Sequence, residues 1–228
     1  HLKAIFNHGI NHRLIPFQHN PFDALSVTTP RKKKKTLDAY QLAQTLGLFD
    51  ELQVVEDRGE RTGRVHPVWF WRVVYETLRQ SGIRRNQLKH LRVRDVNFSH
   101  DVFLIQVEGS KTYREYDVPI SKKLKPWIVM LYLKAKEAGF DLDDQLFNVT
   151  RFGWRRKYKN QTMTDSNISN CFREMSDRLG FKVSPHRMRH TLGTNLMKEG
   201  PEANLHLVKA LLGHTNIRTT LEYVEPDM

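Results

Sequence analysis

The sequence predicts a mainly α-helical domain with one small antiparallel β-sheet, an α+β fold. Apolar residues recur at helical spacing over most of the chain, and proline and glycine mark where those stretches begin and end. Only two neighbouring runs, in the middle of the chain, have the composition of β-strands. The chain has 228 residues, of which 39% are hydrophobic and 27% charged. A core is therefore feasible, and global disorder is excluded.

The first 36 residues are expected to form a helix and a linker. Residues 1–15 have helical spacing and stop at Ile15-Pro16, because proline disfavours helix in the residue before it. So short a stretch cannot bury a core, so residues 1–25 are expected to be the remnant of a preceding domain. Residues 26–36 are expected to be an extended basic linker, because consecutive cations repel one another. These cations, which could also lie along a phosphate backbone, are Arg31, Lys32, Lys33, Lys34 and Lys35.

Residues 37–228 are expected to form the main domain. A strong helix opens at His66-Pro67, with proline as its first residue, and stops at Ser81-Gly82. Two β-like runs, 102–107 and 113–120, are separated by a predicted four-residue hairpin turn, 108–111. Further helices are predicted from residue 36 onward and over 85–91, 123–138, 165–179, 185–199, 202–212 and 217–224.

Composition narrows the class of protein. The chain has 37 Lys and Arg against 25 Asp and Glu, a net charge of +12. Such a surplus indicates an anionic partner, with nucleic acid ahead of a membrane surface. No run approaches the roughly 18 apolar residues of a membrane span. The single cysteine, Cys171, excludes a disulfide framework and a zinc site built on several cysteines. The chain begins at His1 without a signal segment, so we expect a piece of a longer cytoplasmic protein.

Four separated motifs carry residues suited to phosphate chemistry. An arginine follows the helix stop Ser81-Gly82, a lysine lies in the predicted hairpin turn, a His-x-x-Arg-His box opens a helix, and Leu-Gly-His precedes a tyrosine by nine residues. Each has an ordinary explanation alone, such as a surface arginine or a turn lysine. The residues that they contribute are Arg84, Lys111, His186, Arg189, His214 and Tyr223.

In this order and spacing, the four motifs resemble those of the tyrosine recombinase (phage integrase) family. The resemblance covers the chain from Thr36 onward and implies a site-specific recombinase or integrase that cleaves and rejoins DNA. Residues 37–228 would be its catalytic domain, and residues 1–25 the end of its N-terminal core-binding domain. The family usually has an acidic residue three positions after the first arginine. Gln87 stands there in this chain, and it can accept a hydrogen bond but provides no charge.

The resemblance implies a role for each residue. Tyr223 would attack a DNA phosphate, forming a 3′-phosphotyrosyl link and releasing a 5′ hydroxyl without ATP. Planar guanidinium groups at Arg84 and Arg189 suit phosphate oxygens, which they can bind bidentately. His186 is a candidate proton acceptor, His214 a donor to a phosphate oxygen, and Lys111 the acid that protonates the leaving oxygen. The sequence has no carboxylate cluster beside these motifs, so we expect neither a metal nor another cofactor.

Partners follow from the same resemblance. We expect double-stranded DNA as substrate, and other copies of the chain in a synaptic complex, a tetramer in the family. The location would be the bacterial cytoplasm, at the nucleoid.

Residues 151–159 interleave cations with aromatic side chains, which suits phosphates and sugars, although they could equally be a basic loop anchored to the core. Their candidate DNA contacts are Arg151, Arg155, Arg156 and Lys157. His190 is expected to be structural.

Two alternative functions fit part of the sequence. A type IB topoisomerase uses similar cationic groups and a tyrosine to relax supercoiled DNA, but its motifs match less well. A non-catalytic helix-turn-helix protein would explain the helix-glycine-helix pattern of residues 202–224. It would leave Arg84, Lys111 and the His186 box unexplained.

Overall fold

The computed structural model describes residues 2–25, 35–109, 115–152, 161–199 and 201–213, and within them it has nine α-helices and one three-stranded sheet. The predicted fold class, mainly α with a small antiparallel sheet, is confirmed. The chain separates into two compact units, His1–Lys33 and Lys34–Met228. None of the helices in the described ranges is long and apolar enough to cross a bilayer.

The first unit is built on helix α1, Leu2–Asn11. The side-chain amide of Asn20 donates to Asn7 Oδ1 at 2.6 Å and to the Lys3 carbonyl at 2.8 Å, which folds the following segment back on the helix. The ring of Phe6 lies 5.0 Å from that of Phe22. The helix ends before the predicted residue 15, because the chain turns through a positive φ of 52° at Arg13.

The second unit contains the other eight helices of the described residues. Asp38 and Gln41 cap the first of these reciprocally. Gly82 and Gly180, both in the left-handed conformation, end α3 and α7 as the glycine signals predicted. Pro67 precedes α3 rather than beginning it, and the short α6 was not predicted. The helices are α2 Ala39–Asp57, α3 Val68–Ser81, α4 Arg85–His90, α5 Lys125–Glu137, α6 Val149–Phe152, α7 Asp165–Leu179, α8 Pro185–Glu199 and α9 Pro201–Leu211.

The sheet consists of β1 Val96–Asn97, β2 Val102–Ile105 and β3 Tyr116–Pro119, in that order. The antiparallel pairing of the two predicted strands is confirmed, with Phe103 opposite Val118. Both strands are shorter than predicted, and β1 was not predicted. Val107–Gly109 forms a 3₁₀ turn instead of continuing β2, and Gly109 is buried there. Residues 110–114, with the rest of the predicted hairpin turn, lie outside the described residues.

The core is centred on α3, which is buried on most of its surface. Phe70, Val73, Val74 and Leu78 are all 0% exposed. The helix packs against α2, α5 and α8. Since α8 also packs against α9, the helices α3, α8 and α9 belong to one packed group. Residues 217–224, predicted as the last helix, lie outside the described residues.

Candidate active site

Arg84 lies at the sharp corner between α3 and α4. Gly82 ends α3 with φ +63°, Ile83 is buried, and Arg84 has extended backbone (φ −76°, ψ 150°) just before α4 begins. Its backbone N–H donates to Gln87 Oε1 at 2.7 Å, which caps the helix. Its side-chain Nη1 is buried and has no hydrogen-bond partner among the described residues. A buried guanidinium nitrogen without a partner is costly, and an anion placed there would relieve the cost.

Arg189 lies on α8 and is only 5% exposed. Its Nη1 donates to the Gly82 carbonyl at 2.6 Å, and its Nη2 donates to the Leu212 carbonyl. Gly82 and Leu212 directly follow α3 and α9, at the helix ends where carbonyls are left unpaired and the helix dipoles are negative. One buried cation therefore joins the ends of two helices.

Close packing around Gly82 reinforces this junction. A Cβ atom at Gly82 would lie 2.7 Å from Leu212 Cδ2 and 3.0 Å from Leu192 Cδ2. The positive φ also disfavours any other residue there. Glycine therefore allows the ends of α3 and α9 to meet, so that the first motif lies beside Leu212-Gly213 of the last one. The His-x-x-Arg-His box links them through Arg189.

His186 and His190 lie one turn apart on α8. Their Nε2 atoms are 2.7 Å apart, and their rings meet edge to face with centroids 4.0 Å apart. At this distance one nitrogen donates its proton to the lone pair of the other. His186 is exposed, so a substrate can reach it. His190 was expected to be structural, and the residue to which it hydrogen-bonds is the candidate catalytic histidine.

Tyr116 and Gln87 were not predicted as site residues, yet they lie among them. Gln87 Nε2 donates to the Tyr116 hydroxyl at 2.5 Å, and Gln87 is 1% exposed. The sequence signal for Tyr116 is weak: it precedes Val118 by two residues on β3 and so points to the same, buried face.

Several predicted residues fall elsewhere. The side chain of Arg151 contacts other parts of the protein. It donates to the carbonyls of Ala138 and Gly139 at 3.2 and 2.9 Å, and its guanidinium lies 4.3 Å from the Phe140 ring centroid. These contacts favour the structural alternative for this arginine over DNA binding. Lys35 is exposed. The remaining predicted residues lie outside the described residues, namely Lys111, His214, Tyr223, Arg31, Lys32, Lys33, Lys34, Arg155, Arg156 and Lys157.

Two further chemical features concern the described residues. No group of three or more His, Cys, Asp or Glu side chains in those ranges could hold a metal ion. Cys171 is fully buried on α7, and burial raises the pKa of its thiol well above the ordinary value. The thiol is thus protonated and shielded in the folded protein.

Known proteins resemble this chain along most or all of its length. A protein of Pseudomonas aeruginosa named as a candidate tyrosine recombinase XerC is 40% identical over 100% of the chain and 53% of its own length. The tyrosine recombinase XerA of Pyrococcus horikoshii is 29% identical over 64% of the chain and 46% of its own length. The chain thus spans about half the length of these relatives.

The fold has solved counterparts. The Tn1549 transposon integrase, solved in complex with circular intermediate DNA, superposes with a TM-score of 0.67 over 99% of this chain and 72% of that one, at 20% identity. XerH recombinase bound to its difH substrate gives a TM-score of 0.64 over 88% of this chain and 53% of that one, at 17% identity. The family profile described as the phage integrase family matches residues 69–228. The chain therefore belongs to the phage integrase family, the tyrosine recombinases.

Proposed function

We propose that residues 37–228 are the catalytic domain of a site-specific DNA recombinase that cleaves one strand through Tyr223 and rejoins it. The observation that carries this proposal is the junction at Arg189. It brings the helix end before Arg84, the His186 box and Leu212-Gly213 into direct contact. This contact between three motifs that are far apart in sequence supports a single shared site.

The two arginines suit the phosphate. In the transition state, charge develops on the non-bridging oxygens, and fixed cationic N–H donors stabilise it. Arg84 has a buried Nη1 with no hydrogen-bond partner in the described part of the chain, so it is the stronger candidate for direct phosphate binding. A guanidinium has five N–H groups, and the Gly82 and Leu212 carbonyls use two of those on Arg189. Arg189 is therefore proposed first of all to hold the site together.

Each proton that the reaction moves has a proposed acceptor or donor among the side chains of this protein. Only about 0.1% of tyrosine side chains with an ordinary pKa are ionised at pH 7, so Tyr223 needs a proton acceptor, a role for His186. The Tyr223 oxygen forms a bond to phosphorus as the bond to the 5′ oxygen breaks. Lys111 gives a proton to that departing oxygen, and His214 donates to a phosphate oxygen. The reverse reaction rejoins the strand, so the phosphotyrosyl link conserves the bond energy without ATP.

Partners and location follow from this activity. The substrate is double-stranded DNA, and copies of the chain pair two sites in a synaptic complex, a tetramer. Residues 1–25 are proposed as the end of the preceding core-binding domain, and residues 26–36 as a basic linker along the DNA. The protein would act at the nucleoid, in the bacterial cytoplasm.

The test is covalent trapping on nicked suicide duplexes made from the repeats that flank the gene. The chain is expected to give an adduct that resists SDS and persists in excess EDTA. Tyr223→Phe removes one oxygen and should abolish the adduct, while the control Tyr158→Phe should retain it. An adduct with Tyr223→Phe, or cleavage that depends on added magnesium, would overturn the proposed mechanism.

A further inference from the structure

The Tyr116 hydroxyl is linked to Arg84 through a single buried side chain. Gln87 Nε2 donates to this hydroxyl at 2.5 Å, while Gln87 Oε1 accepts the backbone N–H of Arg84 at 2.7 Å. Both ends of the amide are therefore used, one as donor and one as acceptor. A carboxylate in its place would accept at both ends, so the phenol would have to donate instead.

The same phenol contacts the turn that follows α9. A Cβ atom at Gly213 would lie 2.4 Å from the Tyr116 oxygen and 2.5 Å from Cζ, and Gly213 has φ +57°. Only glycine lets the backbone approach the ring this closely. Tyr116 therefore touches the residue that precedes His214 in the sequence.

Gly109 and Tyr116, on either side of residues 110–114, both contact α4. On one side, Asn86 Nδ2 donates to the Gly109 carbonyl at 3.3 Å, and a Cβ at Gly109 would lie 3.2 Å from His90 Cβ. On the other side, Tyr116 is bonded to Gln87. Residues 110–114 between these two contacts lie outside the described residues. The helix that begins after Arg84 is thus the common base for both contacts.

We propose that Tyr116 is a positioning residue: its hydroxyl, through Gln87, fixes the Lys111 segment relative to Arg84. The inference rests on the proposed function, since it assigns to this link the placing of the general acid. Loss of the link leaves the phosphate-binding groups in place but lets the proton donor move away from the leaving oxygen. Misplacement of a reacting group by about 1 Å can slow a reaction by up to about 100-fold.

The test compares cleavage of suicide DNA containing the normal 5′ bridging oxygen with DNA containing sulfur there, which leaves without a proton. Tyr116→Phe should cleave the oxygen substrate about 10-fold more slowly than the unmodified chain, and sulfur should restore the rate. Arg84→Ala should be slow on both substrates. The matched control is Tyr40→Phe, because the Tyr40 hydroxyl also accepts a hydrogen bond from a glutamine, Gln44. Tyr40 is 71% exposed on α2, so this variant should cleave both substrates at the normal rate.

The glutamine partner supplies a second set of variants. Gln87→Met removes the bond to Tyr116 and also the bond to the Arg84 backbone N–H, so it should be at least as slow as Tyr116→Phe. The double variant should be no slower than Gln87→Met, since the bond to Tyr116 is already lost there. Gln87→Glu should retain the rate, because the phenol can donate to a carboxylate. These comparisons keep the inference testable if one variant folds poorly, as thermal unfolding would reveal.

The cleavage rates distinguish a failure of the positioning role from a failure of the proposed function. Equal rates for Tyr116→Phe and the unmodified chain, or the same loss on the oxygen and sulfur substrates, would overturn the positioning role and leave the proposed function standing. If the unmodified chain forms no adduct on either substrate, the proposed function falls, and this inference falls with it.

Discussion

The start of α4 and the first half of α8 each contribute an arginine to the candidate active site, and the protein uses the two side chains differently. Arg189 is 5% exposed and donates to two backbone carbonyls. Arg84 presents a buried Nη1 without a hydrogen-bond partner in the described ranges, although its backbone is capped by Gln87. The difference suggests that one arginine assembles the site, while the other is held ready for a ligand.

The largest effect is expected from Arg84→Ala. Loss of a transition-state donor typically slows a reaction by about 10²–10³-fold, so trapping of suicide DNA should slow by about 10³-fold. The free energy of unfolding should change less than in Arg189→Ala, because Arg84 Nη1 has no hydrogen-bond partner among the described residues. The control Arg58→Ala, at an exposed position after α2, should leave cleavage unchanged. An Arg84→Ala variant that cleaves normally would contradict the ligand-binding role.

Arg189→Ala should instead destabilise the fold. It removes two charge-assisted hydrogen bonds and leaves the Gly82 and Leu212 carbonyls without that donor, at a cost of about 3 kcal/mol. Labelling of Cys171 reports this directly, because burial raises the pKa of the thiol and shields it until the chain unfolds. The labelling rate should rise about 100-fold in Arg189→Ala and rise less in Arg84→Ala. Equal labelling of both variants would remove the distinction between the arginines.

A smaller effect should follow from Gly82→Ala, which tests whether the Arg189 junction needs the close approach of α3 and α9. The added Cβ meets Leu212 and also forces alanine into a positive φ, at a combined cost of about 2 kcal/mol. Gly180→Ala is the matched control, since Gly180 has φ +72° and no atom within 4 Å of its Cβ position. It should cost about 1 kcal/mol in urea unfolding. Equal costs would show that the contact with Leu212 contributes nothing.

Features of the structure that depend on local sequence signals could be predicted, whereas contacts between distant parts of the chain could not. The ends of α3 and α7 were predictable because Gly82 and Gly180 are local signals that act on their own helices. The partners of Arg189 were not, because they are backbone carbonyls that any residue supplies. The contact between Tyr116 and Gly213 joins residues far apart in the chain, which no local pattern specifies. The turn at Gly109 likewise depends on packing against α4, so the strand prediction extended too far.

The central claim is that this chain cleaves DNA through one tyrosine, and the most direct measurement identifies that tyrosine chemically. The adduct trapped on suicide DNA is digested with protease and nuclease, and the linked peptide is sequenced by mass spectrometry. The account predicts a nucleotide joined by its 3′ phosphate to the oxygen of Tyr223. A link at Tyr158 or another residue, a 5′ phosphate link, or no covalent peptide at all would contradict it.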